Sequence, residues 1–547
     1  MLHYFTKLEN ITRQCWNSPG LCNYQGEQFT FGEVATSIEK FHIFFEKAGI
    51  RKGDRIAICA RNCARWAVSF LATNTYEAVV VPILADFTPE SVMSLMEHSE
   101  SMMLFTDPDM WEKLDAEKMP SLRAVVSVKD FSLLYCTDKK IKESYANLHE
   151  EFKSRYPLGF SGDNVKYPTD NDKDLAVINY TSGTTSAPKG VMLRFESFSA
   201  TIEYAQTNVK AKPNTTIVSM LPMAHMYGLA FEFLYPYLSG VAVYYLGKTP
   251  SPSTLIKAMQ EVKPYLLITV PLVMEKIYKS SIKPVLDKKS MKILTAIPGL
   301  NNIIYNKISA KIKETFGGNI YEFIMGGAPL NPEVEKCFRK IHLPYCVGYG
   351  MTEACPLLAY SDYHTFAPGS CGRPVDCAEV RIDSEDPLHI AGEIQAKGTN
   401  ICMGYFNNPE ASANAFTEDG FLRTGDLGVM DEKGNIYIRG RSKSMILTAN
   451  GQNVYPEEVE AVVNSQDYVA ESVVVDRSSK LVALVYLDEK AMQAAGLDAE
   501  AVSDVPENIR VSANRLLPSY SQLTKVEVMT EPFAKTPKLS IKRFLYK

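Results

Sequence analysis

The eleven cysteines of this chain contain no C-x-x-C pair and follow no regular spacing. That argues against a zinc ribbon and a disulfide framework, and it points to a reducing compartment. Acidic and basic residues nearly balance, 63 against 58 for a formal net charge of -5, so there is no electrostatic case for nucleic acid as a partner. No apolar run in the sequence approaches the roughly 20 residues that cross a bilayer as a helix. Met1-Leu2-His3-Tyr4 leads quickly into polar sequence without a basic region followed by an apolar one, and the expected location is cytoplasmic. Peripheral contact with the inner membrane stays open, because a greasy patch can be assembled from residues distant in sequence. The chain also lacks G-x-S-x-G, H-E-x-x-H and G-x-G-x-x-G, which sets aside serine hydrolase, zincin and dinucleotide oxidoreductase chemistry. No internal repeat or low-complexity segment stands out.

What is present is an ordinary globular composition, 547 residues with 46% hydrophobic and 22% charged, long enough for several packed layers and more than one domain. Strand-like and helix-like runs alternate from about Gly53 to Asp107: Arg55–Cys59, a helical stretch around Trp66–Thr73, Ala78–Pro82, a helix opened by Pro89-Glu90, and Met103–Phe105. Such alternation predicts an α/β core with largely parallel strands. A second round runs from about Thr216 to Gly348, with strands at Ile217–Met220, Val241–Leu246, Leu266–Val270, Ile320–Met325 and Tyr345–Val347 and helices at Ser253–Val262 and Pro332–Ile341. Pro157–Asp174, rich in Asp, Gly, Pro and Asn, reads as a loop. After Gly392 the texture changes to short strands and turns. The main boundary falls near Gly440–Lys443, giving a large domain over 1–440 and a small α/β domain over 441–547.

One stretch concentrates the means to hold a polyphosphate. In Tyr180–Leu193, YTSGTTSAPKGVML, glycines keep the backbone open, Thr181, Ser182, Thr184, Thr185 and Ser186 supply hydroxyls around Gly183, and Lys189 adds a positive charge. Leu175–Ile178 on one side and Val191–Leu193 on the other read as strands, so the motif is a strand-loop-strand clamp. It is not a Walker A loop, whose lysine follows its glycine and opens a helix. Gly247-Lys248-Thr249 imitates the tail of that loop, but Ala242 stands where its first glycine belongs and Pro250 and Pro252 follow.

Other segments carry chemistry of their own. Gly348-Tyr349-Gly350-Met351-Thr352-Glu353 follows a buried strand and ends in a hydroxyl and a carboxylate. A carboxylate beside polyphosphate is repulsive unless a cation lies between them, so Glu353 suggests Mg²⁺, and Thr352 can donate to phosphate. Gly326-Gly327-Ala328-Pro329 offers backbone to which a flat ligand can come close. Leu221–Leu229, LPMAHMYGL, sets His225 among apolar residues.

The phosphate clamp resembles the signature [ST]SG[ST]TGxPKG of the adenylate-forming enzymes: acyl-CoA synthetases, adenylation domains and luciferases. Ser186 stands where glycine is usual, which costs something if that position needs positive φ. The resemblance runs from Gly53-Asp54 through Arg543. It implies a large multi-subdomain N-terminal domain and a small mobile C-terminal one, with ATP, Mg²⁺ and coenzyme A as cofactors. It further implies that Tyr349 packs on adenine, Thr352 touches the α-phosphate and Glu353 holds the metal. Gly327 and Ala328 would line the adenine and acyl pockets together with Gly350, and His225 would sit at the carboxylate end of the acyl pocket. Asp426, in Thr424-Gly425-Asp426-Leu427-Gly428, would bind the ribose hydroxyls, and Arg441 the ribose or phosphate. Lys443 aligns with the hinge of the small domain, and Asn450–Pro456 with a loop of the thiol channel.

The last family motif, of the form KTPxGKIxR, reads Lys535-Thr536-Pro537-Lys538-Leu539-Ser540-Ile541-Lys542-Arg543 here. Ser540 takes the position of the lysine that reaches the α-phosphate and the carboxylate, and serine cannot supply that charge; Lys538 and Lys542 are the nearby substitutes. The implied reaction is activation of a carboxylic acid by ATP and transfer to coenzyme A. Arg61–Trp66, LPMAHMYGL and Val270–Tyr278 look most like bacterial-type long-chain fatty-acid CoA ligases. Three alternatives stand beside it: loading of an acyl carrier protein, activation of an aromatic or amino acid, and binding of nucleotide or acyl-adenylate with weak turnover because of Ser540. Oligomeric state is not legible.

Overall fold

Runs rich in valine and isoleucine, such as RIAIC at Arg55–Cys59 and VVVPI at Val79–Ile83, build the first sheet. The computed structural model describes residues 1–181, 188–247, 252–447, 453–477, 480–535 and 541–546. In the first sheet the strands lie in the order Leu133–Cys136, Ala124–Ser127, Met103–Thr106, Arg55–Cys59, Val79–Ile83, Leu175–Thr181, Lys189–Arg194. The five inner strands run parallel and each edge strand runs antiparallel to its neighbour. Inner strands of this kind are covered on both faces, which is why they read as unbroken apolar runs rather than alternating ones. One face is covered by the helix Phe31–Ala48, started by a reciprocal capping box between Thr30 and Glu33 and stopped by Gly49 at φ 73°.

The second sheet orders Thr216–Ser219, Ala242–Tyr245, Pro19–Asn23 and Gln28–Thr30. Its third strand comes from the start of the chain and pairs in parallel with Ala242–Tyr245 through Leu21 opposite Val243. A three-stranded parallel sheet of Leu266–Thr269, Glu322–Met325 and Tyr345–Val347 follows, and Tyr265 N–H donates to Thr216 C=O at 2.9 Å across the gap between the two. The helices Pro271–Ile277, Leu300–Thr315 and Pro332–Lys340 cover it through Met274, Ile312, Phe316, Val334 and Phe338.

Antiparallel structure begins earlier than the change of texture after Gly392 suggests. Tyr349–Gly350, Leu357–Tyr360 and Arg373–Pro374 already pair antiparallel, and Ala378–Asp383, Gly392–Gly398, Leu422–Met430 and Ile436–Arg441 form a meander. The signal for this was present in Ala378–Asp383, AEVRID, which alternates apolar and charged residues with the period of a half-buried strand. The architecture is therefore α/β with mixed sheets, parallel in the first two rounds and antiparallel after them. Beyond Arg441, the strands Val469–Asp476, Leu481–Leu487 and Lys525–Val528 make a separate sheet. Helices Pro456–Asn464 and Ala499–Asn514 pack on it around Val459, Val463, Ile509 and Ala513, a core of its own.

Candidate nucleotide and acyl site

Thr181 and Lys189 face each other across the hairpin that carries the phosphate clamp, and the Thr181 hydroxyl donates to Lys189 C=O at 3.5 Å. Ser182, Gly183, Thr184, Thr185 and Ser186 lie outside the described residues. Gly190 is required by packing, since a Cβ there would lie 2.8 Å from Ile178 Cγ2. The segment 403–406 runs along this strand: Met192 N–H donates to Gly404 C=O at 3.0 Å and Phe406 N–H to Gly190 C=O at 2.7 Å. That pairing brings the ring of Tyr405 to 4.9 Å from Lys189 Nζ, a cation–π contact. The hydroxyl of the same tyrosine donates to Glu353 Oε1 at 3.0 Å. Tyr405 thus ties the lysine of one motif to the carboxylate of another.

Glu353 sits in a short 3₁₀ turn, Thr352–Ala354, and is 8% exposed. Gly350 is exposed but cannot carry a side chain, because a Cβ would meet Pro356 O at 1.8 Å. Tyr349 is buried, and its hydroxyl donates to Asp426 Oδ2 at 2.7 Å. Arg441 Nε lies 2.8 Å from Asp426 Oδ1, the two residues being cross-strand partners in the meander. Asp426 is only 5% exposed. Burial pushes its carboxyl above the ordinary aspartate value, Arg441 and the Tyr349 hydroxyl pull it back, and the nearby Glu457 and Glu353 add to the rise. Burial, then Asp426, holds the Tyr349 hydroxyl well above the usual phenol value.

The acyl-side candidates gather at the carboxyl ends of the three-stranded parallel sheet, the place where open α/β sheets bind ligands. Gly326 N–H donates to Thr269 C=O at 3.2 Å and Gly348 N–H to Met325 C=O at 2.8 Å, so the glycine segment and the start of the Tyr349 motif leave adjacent strands together. Gly327 takes φ 82°, and it and Ala328 are exposed. A Cβ at Gly326 would lie 3.2 Å from the Tyr227 ring, so a larger residue there would press on the histidine segment.

His225 is half-buried just before a π-helical stretch, Gly228–Leu234. The segment Leu221–Ala224 is held from three sides. Asn62 donates to Leu221 C=O at 2.6 Å and accepts from Met223 N–H at 2.8 Å; Asn179 donates to Ala224 C=O at 2.9 Å. Glu232, fully buried, accepts from Leu221 N–H, Met220 N–H and the Ser219 hydroxyl at 2.7, 2.9 and 3.1 Å. Burial raises the Glu232 carboxyl well above its ordinary value despite those three donors. These three residues and Tyr405 had no role assigned from sequence. A glutamate inside GLAFEFLY and an asparagine inside AVINY were the available signal, because a polar group amid a buried run must find partners.

Lys443 is exposed in the turn between Ile436–Arg441 and the short strand Ile446–Leu447. Of the thiol-channel segment, residues 450–452 lie outside the described residues, as do Ser540 and Lys538. The ends of the last motif are anchored: Lys535 and Ile541 form an antiparallel bridge, and Lys542 N–H donates to Ala534 C=O at 2.8 Å. Arg543 is paired with the buried Glu460 of the helix Pro456–Asn464, through Nη1 to Oε1 at 2.7 Å and through Nη2 to Oε2.

Sheets of this mixture with a small C-terminal α/β unit define an adenylate-forming enzyme fold. An anthranilate CoA ligase, AuaEII, in complex with anthranoyl-AMP superimposes with a TM-score of 0.80 at 17% identity over 100% of this chain and 96% of that one. The chain belongs to the AMP-binding enzyme family, which matches residues 9–406, with the AMP-binding enzyme C-terminal domain matching 443–546. Among curated relatives, long-chain-fatty-acid–CoA ligase FadD15 of Mycobacterium bovis is 28% identical over 490 residues, 85% of this chain and 78% of the relative. The long-chain-fatty-acid–CoA ligase of Bacillus subtilis is 29% identical over 478 residues, 83% of this chain and 79% of the relative.

Proposed function

We propose that the acid which this AMP-forming acid–thiol ligase activates is a long-chain fatty acid, joined first to AMP with release of pyrophosphate and then to the thiol of coenzyme A. The observation that carries the nucleotide half is the tie of Asp426 to Tyr349 and Arg441 at 2.7 and 2.8 Å, which fixes a carboxylate whose remaining lone pairs would accept the ribose hydroxyls. The long-chain half rests on the relatives named as long-chain ligases and on the apolar, methionine-bearing surroundings of His225.

In this reading Lys189 and the clamp hydroxyls bind the leaving pyrophosphate, Thr352 donates to the α-phosphate, and His225 and Gly327 bound the acyl carboxylate. Gly350 and Ala328 leave room for nucleotide and acyl chain. Among the described residues no three ligating side chains cluster. Glu353 would hold Mg²⁺, which takes one or two carboxylates and completes its shell with water and substrate phosphates. When bound, the ion offsets negative charge on the phosphates. The small domain over 441–547, turning about Lys443, exchanges the groups that serve the two half-reactions.

The test measures AMP release and thioester formation with ATP, Mg²⁺ and carboxylates of increasing chain length, beside aromatic and amino acids, with coenzyme A or a holo-carrier protein as acceptor. Rising kcat/KM toward long chains with coenzyme A supports the proposal; a preference for aromatic acids or for the carrier protein overturns the corresponding half. Repeating the assay with Ser540→Lys decides the first half-reaction. A large gain identifies Ser540 as the vacancy in the motif, and unchanged rates assign the role to another lysine.

A further inference from the structure

The helical layer over residues 276–316 differs in character from the rest of the chain. It carries nine lysines, no arginine, and only Asp287 and Glu314 as acids, in a protein whose overall charge is -5. Its helix Lys289–Ala296 buries none of its residues although Met291, Ile293 and Leu294 lie in it. Ile293 is 66% exposed, Ile297 46% and Ile303 53%, and Val285 and Leu294 are exposed beside them.

Inward-facing positions account for the packing and leave this surface unpartnered. In the helix Leu300–Thr315, Ile308 and Ile312 join the core under the three-stranded sheet, while Ile303 points away from it. Helical spacing puts Lys289, Ile293 and Ile297 on one stripe. Lys292 pairs with Asp287 at 3.2 Å; Lys288 and Lys289 form no ion pair among the described residues. Lys279 and Lys283 contact the C-terminal unit and bound the patch at one end.

We propose that the face formed by Val285, Ile293, Leu294, Ile297 and Ile303, with Lys288, Lys289 and Lys292, docks on an anionic lipid surface. Apolar side chains without a protein partner enter the acyl boundary, and lysines beside them reach the headgroup phosphates while their stems lie along the apolar surface. A second copy of the chain fits less well, because a two-fold contact would set each lysine cluster against its own copy. The helices of this layer cover the sheet whose strand ends carry Gly326-Gly327. The long-chain reading supplies only the reason for such a seat, since that substrate partitions into lipid; the docking itself can be tested without catalysis.

The test is co-sedimentation of the full-length protein with phosphatidylcholine vesicles, with and without phosphatidylglycerol. Binding is expected with phosphatidylglycerol and is expected to weaken as salt rises. Ile293→Glu with Ile297→Glu is expected to lower the bound fraction about tenfold, and Lys288→Glu with Lys289→Glu and Lys292→Glu to abolish the salt-sensitive part. Both variants change exposed side chains, and unchanged thermal melting together with unchanged ligase rates in vesicle-free buffer verifies their fold. Failure of the wild type to bind either vesicle, equal binding by the variants, or salt-insensitive binding to neutral vesicles overturns the proposal. A wild-type dimer in velocity sedimentation that the isoleucine variants dissociate overturns it in favour of a second copy. Vesicle binding by a protein with no thioester-forming activity leaves this inference standing and refutes the proposed substrate instead.

Discussion

Asp426 separates function from stability within one side chain. Its burial raises the carboxyl, so in the folded state the charged form carries a cost that is absent when the group is protonated. Arg441, more than half exposed, returns little of that cost through the ion pair. Asp426→Asn is therefore expected to leave the melting temperature near pH 8 equal or higher, while raising KM for ATP about 10–100-fold through loss of the charge-assisted hydrogen bonds to the ribose proposed above. Thermal melts and steady-state kinetics with ATP varied check the two halves. Glu322 gives a cleaner pH signal. It is fully buried, accepts from the Tyr360 hydroxyl at 2.9 Å and from Tyr363 N–H at 2.8 Å, and burial pushes its carboxyl up to about 7 against those donors. The stability it contributes is complete below the ordinary glutamate range and is lost as pH rises through about 7. Glu322→Gln keeps Tyr363 satisfied and lets its amide donate to Tyr360. Denaturant titrations should show the variant matching the wild type near pH 5 and exceeding it near pH 8.5 by up to about 3 kcal/mol. Equal stability at both pH values would refute the assignment.

At the scale of elements, the segment Leu221–Ala224 is held by polar clamps as well as by the burial of Met223. Asn62 grips it with both ends of one amide, and Asn62→Asp keeps the acceptor for Met223 N–H but sets a carboxylate against Leu221 C=O. The expected result is a rise of about tenfold in KM for the carboxylic acid with KM for ATP unchanged, because Tyr349, Asp426 and Arg441 are not among the partners of Asn62. Equal change in both constants would mean that the clamp serves the whole lobe. The elements themselves were legible where a buried run declares its own state: Tyr345–Val347 is a strand over the residues that read as one. Pairing over long sequence distance was not legible. Nothing within Pro19–Asn23 announces Ala242–Tyr245 as its neighbour, and nothing near Lys189 announces Tyr405, since both contacts are set by tertiary packing. Motif residues with open valences, Asp426 and Arg441 among them, could be paired from sequence by resemblance; Asn62, Asn179 and Glu232 act only through backbone and required the fold.

Across the whole molecule, the large lobe meets the helix Pro456–Asn464 at both ends: Arg439 pairs with Glu458 at 3.5 Å near its start, and donors reach its last carbonyls. The last carbonyls of Pro456–Asn464 have no partner within the helix, and the large lobe supplies donors to them. Asn331 donates to Ala461 C=O at 3.3 Å, and Lys279 donates to Asn464 C=O at 3.3 Å and to Val469 C=O at 3.4 Å. Lys283 adds an ion pair to Asp467 at 3.2 Å. A cation at a helix C-terminus is favoured by the aligned peptide dipoles, yet these groups are exposed enough that each contributes only about 0.3–1 kcal/mol. A contact of that strength orients the C-terminal unit without locking it, which is what the proposed swing about Lys443 needs. Lys279→Ala with Lys283→Ala removes a donor to the helix end and the ion pair to Asp467 and leaves both cores untouched. Opening then becomes more favourable by about 1 kcal/mol, or about fivefold in population. Lys443 stands in the turn between the two units, and trypsin needs that turn to open locally before it cleaves, so cleavage there reports the opening. Cleavage there is expected to run about fivefold faster in the double variant, with the melting of each unit unchanged and the ratio of adenylation to thioester-transfer rates shifted. Cleavage at the wild-type rate would show that the helix-end contacts do not hold the two units together in solution.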